Sequence, residues 1–323
     1  MTRLAAPDAE GIRAAAAALR RGDLVVFPTE TVYGLGADAL RPDAVARVFA
    51  AKGRPADNPL IVHALDAAAA RRLCRAWPAE ADALARAFWP GPLTLVLPRD
   101  PKVPDITTGG LDSVALRVPA HPVALALLAE SGLPVAAPSA NRSGRPSPTR
   151  AADALADLGD AVSVYLDGGP TRVGVESTVV SLVGAPTVLR PGGVGLERLR
   201  AVVPGLRVAE PSREGPVLSP GTRYRHYAPR ARVVISPPGG AAQEAERLTG
   251  RVAIVAAAES GLSGPHVRVP GARRDAEAWA RQLFALLRDL DAQGYDAIVV
   301  EAIPEEGLGL AVMNRLRKAA EGG

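Results

Sequence analysis

One short stretch of the sequence, KGRPADNPL at residues 52–60, combines charged and amide side chains with two prolines. Lys52, Arg54 and Asn58 suit phosphate oxygens, because ammonium, guanidinium and amide groups all donate hydrogen bonds. The prolines exclude regular structure and reduce the entropy lost when such donors are fixed. The stretch therefore predicts an anion-binding loop. A solvated surface turn is the alternative.

A second stretch, FPTETVYGLGADAL, places polar side chains directly after an apolar strand pattern. Thr29, Thr31 and Tyr33 supply hydroxyls, and Gly34 and Gly36 let the backbone approach a ligand closely. Loops that follow strands of an open α/β sheet usually bind ligands, so we expect a binding loop here. A glycine turn with N-capping threonines explains the same residues.

A third stretch, APSANRSGRPSPT, follows a buried strand pattern and carries Ser139, Asn141, Ser143, Ser147 and Thr149. Its hydroxyls, amides and backbone N–H groups are typical of a nest that binds an anion. Thr149 has a simpler explanation, because it also suits the cap of the helix that follows.

Further polar residues lie in or beside apolar strand patterns: His63 in LIVHAL, Ser113 and Arg117 in DSVALRVP, Glu176, Ser177 and Thr178 in VEST, and Arg190 in LRPGG. Singly, each is compatible with the edge of a sheet, and the local pattern around His63 favours a buried core histidine. The sequence contains no P-loop, Ser-His-Asp order, paired carboxylates or metal-ligand spacing. Cations and hydroxyls converging on one pocket suit a nucleoside triphosphate held for attack, where catalysis is mostly positioning and charge neutralisation.

The elements that must position these residues alternate between short β-rich runs and helical patterns over the first two hundred residues. This alternation predicts an α/β fold. We expect the sheet to be mixed, because VESTVVSLVGAPTVLRPGG resembles two strands around a turn at residues 184–186. A helical pattern over residues 66–76 contains the one cysteine, Cys74, which we expect to be a buried small hydrophobe.

The chain divides into a catalytic domain at 1–208, a linker at 209–231 and a small α/β domain at 232–323. The proline, glycine and charge content of the linker marks the division. The last segment predicts a Rossmann-like domain without a dinucleotide site, since no GxGxxG follows its first strand.

Composition sets limits on function. The 323 residues are 48% hydrophobic and 22% charged, which is typical of a globular protein. A net charge of +4 fits an anionic ligand, while 4% aromatic residues argue against base-stacking platforms. No secretory signal or long apolar segment is found, so we expect a cytoplasmic protein with no membrane contact.

Seven motifs in order resemble those of the YrdC-type threonylcarbamoyl-AMP synthases in their long form, which carries an extra C-terminal domain. They are PTETVYGLGADA, KGRPADNPL, WPGPLTLVL, LRVPAHP, APSANRSGRPSPT, VESTVV and LRPGG, followed by SPGTRYRHYAP in the linker. The resemblance implies an open twisted α/β sheet with a basic cleft. It implies synthesis of threonylcarbamoyl-AMP and pyrophosphate from L-threonine, bicarbonate and ATP. A partner transferase then modifies the adenosine beside the anticodon in certain tRNAs.

The resemblance also assigns roles to residues. It implies that threonine is held by Thr31, His63, Arg117 and Ser177, with the backbone at Ala137, and this reverses the local interpretation of His63. We assign ATP to Lys52, Arg54, Asn58, Ser113, Ser139, Asn141, Ser147 and Arg190, with Tyr224 and His226 of the linker. Lys52 and Arg54 are the expected catalytic residues, offsetting charge on the leaving pyrophosphate. Mg²⁺ is expected to accompany ATP, with no protein ligand assigned.

The linker segment SPGTRYRHYAP, residues 219–229, predicts a lid that closes over the ATP site and shields reactive intermediates from water. A basic spacer resting on the surface is the alternative. Two other functions compete with the synthase: an RNA-binding module that uses the basic cleft without chemistry, and a carbamoyl-phosphate-using maturation domain. The second lacks support, since the chain has neither the cysteines nor the length of such proteins.

Overall fold

The structure, a computed structural model, describes residues 3–210 and 226–321. Within these ranges the larger of two α/β units contributes eleven strands: β1 (Arg3–Ala5), β2 (Val25–Phe27), β3 (Gly34–Asp38), β4 (Ile61–His63), β5 (Leu93–Pro98), β6 (Ser113–Arg117), β7 (Val135–Ala136), β8 (Val164–Leu166), β9 (Thr178–Ser181), β10 (Thr187–Arg190) and β11 (Arg207–Val208). Its helices are α1 (Ala9–Arg21), α2 (Pro42–Lys52), α3 (Ala67–Arg71), α4 (Ala79–Phe88), α5 (Asp105–Thr108), α6 (Pro122–Ser131), α7 (Ala151–Leu158) and α8 (Leu196–Val202).

The strands form one mixed sheet in the order β1-β8-β2-β3-β7-β4-β6-β5-β9-β10-β11. β4 and β6 are parallel, whereas β5 and β6 are antiparallel. The predicted pair of strands in VESTVVSLVGAPTVLRPGG is confirmed as the antiparallel pair β9 and β10. The turn between them contains Gly184 at φ 78°, a left-handed conformation that favours glycine.

Helices cover both faces of this sheet, because neighbouring residues of each strand point to opposite sides. Val25 and Phe27 of β2 pack in a cluster with residues of α1 and α6. Val26, between them, packs in a second cluster with residues of α2, α4 and α7. The prediction of an α/β fold with a mixed sheet is confirmed.

Two local predictions were wrong. The helix expected over residues 66–76 ends at Arg71, because the chain leaves it to form an isolated bridge between Cys74 and Arg99. Cys74 is consequently half-buried rather than buried. The glycine-rich stretch after β2 is partly a strand, β3, and Gly36 lies within it. A Cβ there would lie 2.8 Å from the rings and methyls of Phe27 and Val135, so this glycine permits core packing.

The smaller unit is a parallel four-stranded sheet in the order β12-β15-β13-β14, with β12 (Arg232–Ser236), β13 (Val252–Val255), β14 (Val267–Arg268) and β15 (Ala297–Glu301). Its helices are α9 (Ala241–Glu246), α10 (Ala276–Ala292) and α11 (Leu308–Ala320). Residues of α10 and α11 pack against one face of the sheet, and residues of α9 against the other. This arrangement confirms the predicted small Rossmann-like domain, which we call the C-terminal domain.

Across the two described ranges, no helix combines the length and apolar character needed to span a bilayer.

Candidate active site

One cleft brings together most of the predicted site residues. The predicted residues that line it are Thr31, Lys52, Arg54, His63, Arg117, Ala137, Ser139, Asn141, Ser147, Ser177, Arg190 and His226. Residues assigned to threonine and residues assigned to ATP therefore lie in one continuous space.

The floor of the cleft is formed by two parallel strands, β4 and β6. Their register pairs His63 with Arg117 and Ile61 with Ala115, so the two polar side chains share one face of the sheet. Val62, between them in β4, points into the hydrophobic core on the opposite side. Strand pairing thus places an imidazole beside a guanidinium although 54 positions separate them in the sequence.

His63 is buried, with 3% of its surface exposed, and its ring lies edge-on to Phe27 at 6.0 Å between centroids. Neither ring nitrogen has a partner at hydrogen-bonding geometry within the described residues. Burial, followed by the positive charge of Arg117, lowers the pKa of His63 to about 3. The ring is therefore neutral near pH 7 and offers one N–H donor and one lone pair to a ligand.

Arg117 forms a buried ion pair with Glu30, with 2.7 Å between Nη2 and Oε1. Its Nε donates to the carbonyl of Gly91 at 3.3 Å, and Glu30 Oε2 accepts from the backbone N–H of Ala120 at 3.0 Å. These contacts fix the plane of the guanidinium at the cleft floor, where a carboxylate ligand could pair with it.

Hydroxyl groups surround this end of the cleft. Thr31 Oγ1 lies 2.8 Å from Thr29 Oγ1, which in turn donates to the carbonyl of Val32 at 2.6 Å. Ser177 Oγ lies 2.8 Å from the buried Thr94 Oγ1. Each lining hydroxyl is therefore oriented by a neighbour behind it, which favours recognition of a small polar ligand.

At the other end of the cleft, Lys52 is the last residue of α2 and is 3% exposed. Gly53 ends the helix in the left-handed conformation at φ 58°. The Lys52 ammonium donates to the carbonyls of Ser139 and Asn141, joining the helix end to the serine-rich loop. Burial lowers the pKa of Lys52 well below its ordinary value, and the charge of Arg54 acts in the same direction.

Arg54 stabilises the proline-containing loop through hydrogen bonds to its backbone carbonyls. Its Nε donates to the carbonyl of Asn58 at 3.2 Å and its Nη2 to that of Pro59 at 3.0 Å. The side chain of Asn58 is 1% exposed, and both of its amide atoms lack a hydrogen-bond partner in the described parts of the chain. Asn58, although predicted to bind ATP, does not itself line the cleft.

The serine-rich loop, residues 139–149, presents its side chains to the same end. Asn141 Nδ2 donates to the carbonyls of Arg142 and Arg145 at 2.8 and 2.9 Å, which leaves Oδ1 without a partner in the part of the chain described. Ser147 Oγ donates to Glu176 Oε1 at 2.5 Å. Both side chains are therefore oriented from behind and buried at the cleft wall.

Besides Asn58, one more predicted ATP residue does not line the cleft, and another falls outside the described residues. Ser113 begins β6 and pairs with Pro98, about 13 Å along the strand from Arg117 at the usual rise per residue. It does not line the cleft. Tyr224 lies outside the described residues. His226, two positions later, lines the cleft, and burial lowers its pKa to about 3, with Arg54 contributing in the same direction.

The structure adds site residues to which sequence reasoning assigned no role. Glu30 and Thr94 hold the lining side chains of Arg117 and Ser177. Glu176 stood among the candidates without a role, and Tyr227 follows His226 in the wall. A carboxylate between two threonines directly after a strand is the one local signal that could have indicated Glu30.

Comparison with known proteins agrees with this geometry. Residues 17–192 match the family Sua5_yciO_yrdC, described as telomere recombination, and residues 194–321 match the threonylcarbamoyl-AMP synthase C-terminal domain. Threonylcarbamoyl-AMP synthase of Pyrococcus abyssi is 48% identical over 96% of this chain and 94% of the relative. That of Bacillus subtilis is 46% identical over 96% and 93%.

Among solved structures, the crystal structure of P. abyssi Sua5 complexed with L-threonine has a TM-score of 0.92 and 45% identity. The match covers 99% of this chain and 98% of that one. Both parts of the chain are thus matched in sequence, and the complete architecture is matched in structure. The chain belongs to the threonylcarbamoyl-AMP synthase family, in its long form with a C-terminal domain.

Proposed function

We propose that this protein joins L-threonine, bicarbonate and ATP into threonylcarbamoyl-AMP, with release of pyrophosphate, in the cleft over β4 and β6. One observation carries the proposal: a single cleft holds two different sets of groups. The first is a buried neutral imidazole beside a guanidinium, and the second is two cations with a serine-rich loop. The first pair suits an amino acid, and the second set suits a triphosphate.

At the threonine end, Arg117 binds the carboxylate, and the hydroxyls of Thr31 and Ser177 surround the rest of the molecule. His63 bonds the substrate through its ring nitrogens, which meet no described partner at hydrogen-bonding geometry although the backbone of Ile61 and Val135 lies beside the ring. With a pKa of about 3 it acts as a neutral hydrogen-bonding group near pH 7 rather than as a proton store. The backbone at Ala137, which follows β7, completes this end.

At the ATP end, the threonine amine has condensed with bicarbonate to a carbamate, with loss of water. One carbamate oxygen attacks the α-phosphorus, and the bond from that phosphorus to the bridging oxygen of the β-phosphate breaks. The electron pair leaves with pyrophosphate. Lys52 and Arg54 offset the negative charge that builds up on it, a contribution of about 3 kcal/mol for a well-placed donor. Ser139, Asn141, Ser147 and Arg190 hold the nucleotide.

Mg²⁺ fits this proposal as an ion that arrives with ATP. In the ranges that the structure describes, no group of three or more His, Cys, Asp or Glu side chains could hold a metal. Asn141 Oδ1 is a buried oxygen in the cleft wall with no partner there, and Mg²⁺ prefers oxygen ligands. We therefore propose that phosphate oxygens and water hold the ion, with Asn141 contributing. When bound, Mg²⁺ neutralises phosphate charge.

The product is a mixed anhydride, so we infer that a transferase takes the threonylcarbamoyl group to tRNA. Residues 219–225, the larger part of the predicted lid, lie outside the described residues; of its remaining part, His226 and Tyr227 line the cleft. The RNA-binding alternative gains no support, because Lys52 and Arg190 are 3% and 4% exposed and line a cleft rather than a surface stripe.

Incubation of the purified protein with L-threonine, bicarbonate, ATP and Mg²⁺, followed by mass spectrometry, tests the proposal. We expect threonylcarbamoyl-AMP and equimolar pyrophosphate, and neither when threonine or bicarbonate is omitted. ATP conversion that did not depend on threonine would contradict the proposal.

A further inference from the structure

The C-terminal domain reaches the wall of the cleft through two arginines, the half-buried Arg288 and the buried Arg315. Arg288 of α10 donates from Nε to the carbonyl of Pro146 at 3.0 Å, next to Ser147 in the serine-rich loop. The same guanidinium pairs with Asp157 at 2.8 Å, and the Asp157 side chain is 1% exposed. The back of this loop is therefore attached to a helix of the other domain.

The second contact leads directly to a lining side chain. Arg315 of α11 is 1% exposed, and its Nε donates to Glu176 Oε2 at 2.7 Å. The other carboxylate oxygen of Glu176 accepts from Ser147 Oγ at 2.5 Å. One carboxylate thus connects a helix of the C-terminal domain to a hydroxyl assigned to ATP.

Whether Glu176 can maintain this connection depends on its own charge and on the charges around it. Burial by itself would raise the pKa of Glu176, but the charges of Arg315 and Arg190 and the Ser147 hydrogen bond leave it below its ordinary value. Without Arg315, a buried carboxylate would lose its ion-pair partner, and such losses are strongly destabilising locally. Glu176 would then reorient or take up a proton, and Ser147 would lose its acceptor.

Arg315 also contacts Tyr227, near the start of the second described range at residue 226. Its guanidinium carbon lies 5.2 Å from the centre of the Tyr227 ring, and that ring stacks on Phe284 of α10 at 5.4 Å. Tyr227 has φ 64°, unusual for a non-glycine residue, so its neighbours must hold it in place. The residue before it, His226, lines the cleft.

We propose that Arg315 is a positioning residue for ATP: it aims Glu176, and through it Ser147, and it clamps Tyr227 so that His226 faces the nucleotide. The C-terminal domain therefore contributes to nucleotide binding without touching the nucleotide through Arg315. The polar residues of the threonine end depend on partners within the larger unit, Glu30, Thr29 and Thr94. This inference rests on the proposed function, because it takes the triphosphate end from it.

The test uses the full chain and compares Arg315→Met with Asp289→Ala. Asp289 also joins the two units, through Arg150 at 2.6 Å, but this pair is about 40% exposed on both sides, and neither partner lines the cleft. Binding of ATP and of L-threonine is measured separately by calorimetry, and KM and kcat by pyrophosphate release. Arg315→Lys tests partial rescue, since lysine keeps the charge but not the planar fork.

We expect Arg315→Met to raise the Kd and KM for ATP at least about 10-fold, as for loss of a buried charged hydrogen bond. The Kd for threonine should stay within about twofold, Arg315→Lys should fall between, and Asp289→Ala should match the wild type. A general loss of folding would instead lower the active fraction for both ligands. The double variant E176Q/R315M removes both charges, so it tests the same claim should Arg315→Met fold poorly.

The inference would be overturned if Arg315→Met bound ATP within twofold of the wild type, or if it bound threonine and ATP more weakly to the same extent. The double variant is judged by the same two criteria if only that one folds. A wild type that bound ATP but made no threonylcarbamoyl-AMP would contradict the proposed function while the binding comparison still decided the role of Arg315. A wild type that bound no ATP would overturn both.

Discussion

The two ends of the cleft are built in different ways. At the threonine end, His63 and Arg117 stand on paired strands, and their supporting contacts come from the larger unit. At the ATP end, Lys52 and Arg54 flank a helix end and a loop, and Ser147 is held through Glu176 by another domain. The threonine end is thus built on a sheet, whereas the ATP end is built on loops that another domain supports.

This difference predicts that the threonine end is stiff and selective while the ATP end is sensitive to distant changes. Sites on sheets hold their geometry more closely than sites on loops. The predictions below test each side of the comparison, from the largest expected effect to the smallest.

Substrate choice tests the selectivity of the threonine end. Serine lacks only the methyl group, and we expect a loss in kcat/KM of about 10- to 100-fold. Valine lacks the hydroxyl and leaves buried polar groups unpaired, so the loss should be about 10⁴-fold. Pyrophosphate release with each amino acid measures both. If valine were used as well as serine, the assigned threonine contacts would be wrong.

Glu30→Gln tests the support behind that end. It leaves Arg117 as a buried charge without its partner, and breaking such a pair costs about 3–5 kcal/mol in the free energy of unfolding. Threonine should also bind more weakly. Denaturant unfolding and calorimetry measure the two effects. The matched control is Glu10→Gln, which removes an exposed pair with Arg3 and should cost less than about 1 kcal/mol. Equal costs in the two variants would refute a buried, structural role for Glu30.

Removing a cation tests the ATP end. Lys52→Met and Arg54→Ala should each lower the rate of adenylate formation about 100-fold, as for loss of a donor to a developing charge. Methionine suits position 52 because the side chain is buried at the end of α2, whereas the sequence alone placed it on a stiff anion-binding loop. Lys102→Ala, at an exposed lysine, is the control. Near-normal turnover in both variants would remove the phosphate-binding role of this segment.

A pH series tests the burial of His63. Its pKa is about 3 in the folded protein against 6.5 for an ordinary histidine, so the unfolded chain binds more protons between these values. Stability contributed by the neutral ring is complete above pH 6.5 and is lost as the pH falls. Between pH 7.5 and 5.5 the loss is about 1.4 kcal/mol. In His63→Asn this part of the dependence of the unfolding free energy on pH should disappear, whereas His266→Asn, at an exposed histidine, should keep it. An unchanged slope in His63→Asn would show that the ring is not buried as described.

The types and spacing of Lys52, Arg54 and Ser139 indicated an anion site, and these three residues line one cleft. Sequence reasoning succeeded for the fold, which strand and helix periodicity indicated. It failed where partners are distant in the chain. Glu30 meets Arg117, and Glu176 meets Arg315, only after the sheet and the domain interface form.

His63 shows the same limit. The apolar pattern around it correctly indicated burial, but only the register of β4 with β6 brings Arg117 beside it. At Gly36 the structure adds a packing reason for glycine, since a Cβ there would meet Phe27 and Val135 in the core. Local patterns therefore predict which residue types are available, while strand pairing decides which of them form the site.

Calorimetric titration of L-threonine and of ATP into the wild type, Arg54→Ala and Ser147→Ala tests the separation of the two ends most directly. The wild type should bind threonine without nucleotide, because its contacts come from the sheet and the strand ends. Both variants should bind threonine within about twofold of the wild type and ATP at least about 10-fold more weakly. Loss of threonine binding in parallel with ATP binding would contradict the account, because the two ends would then behave as a single site in which binding of one ligand depends on the residues of the other.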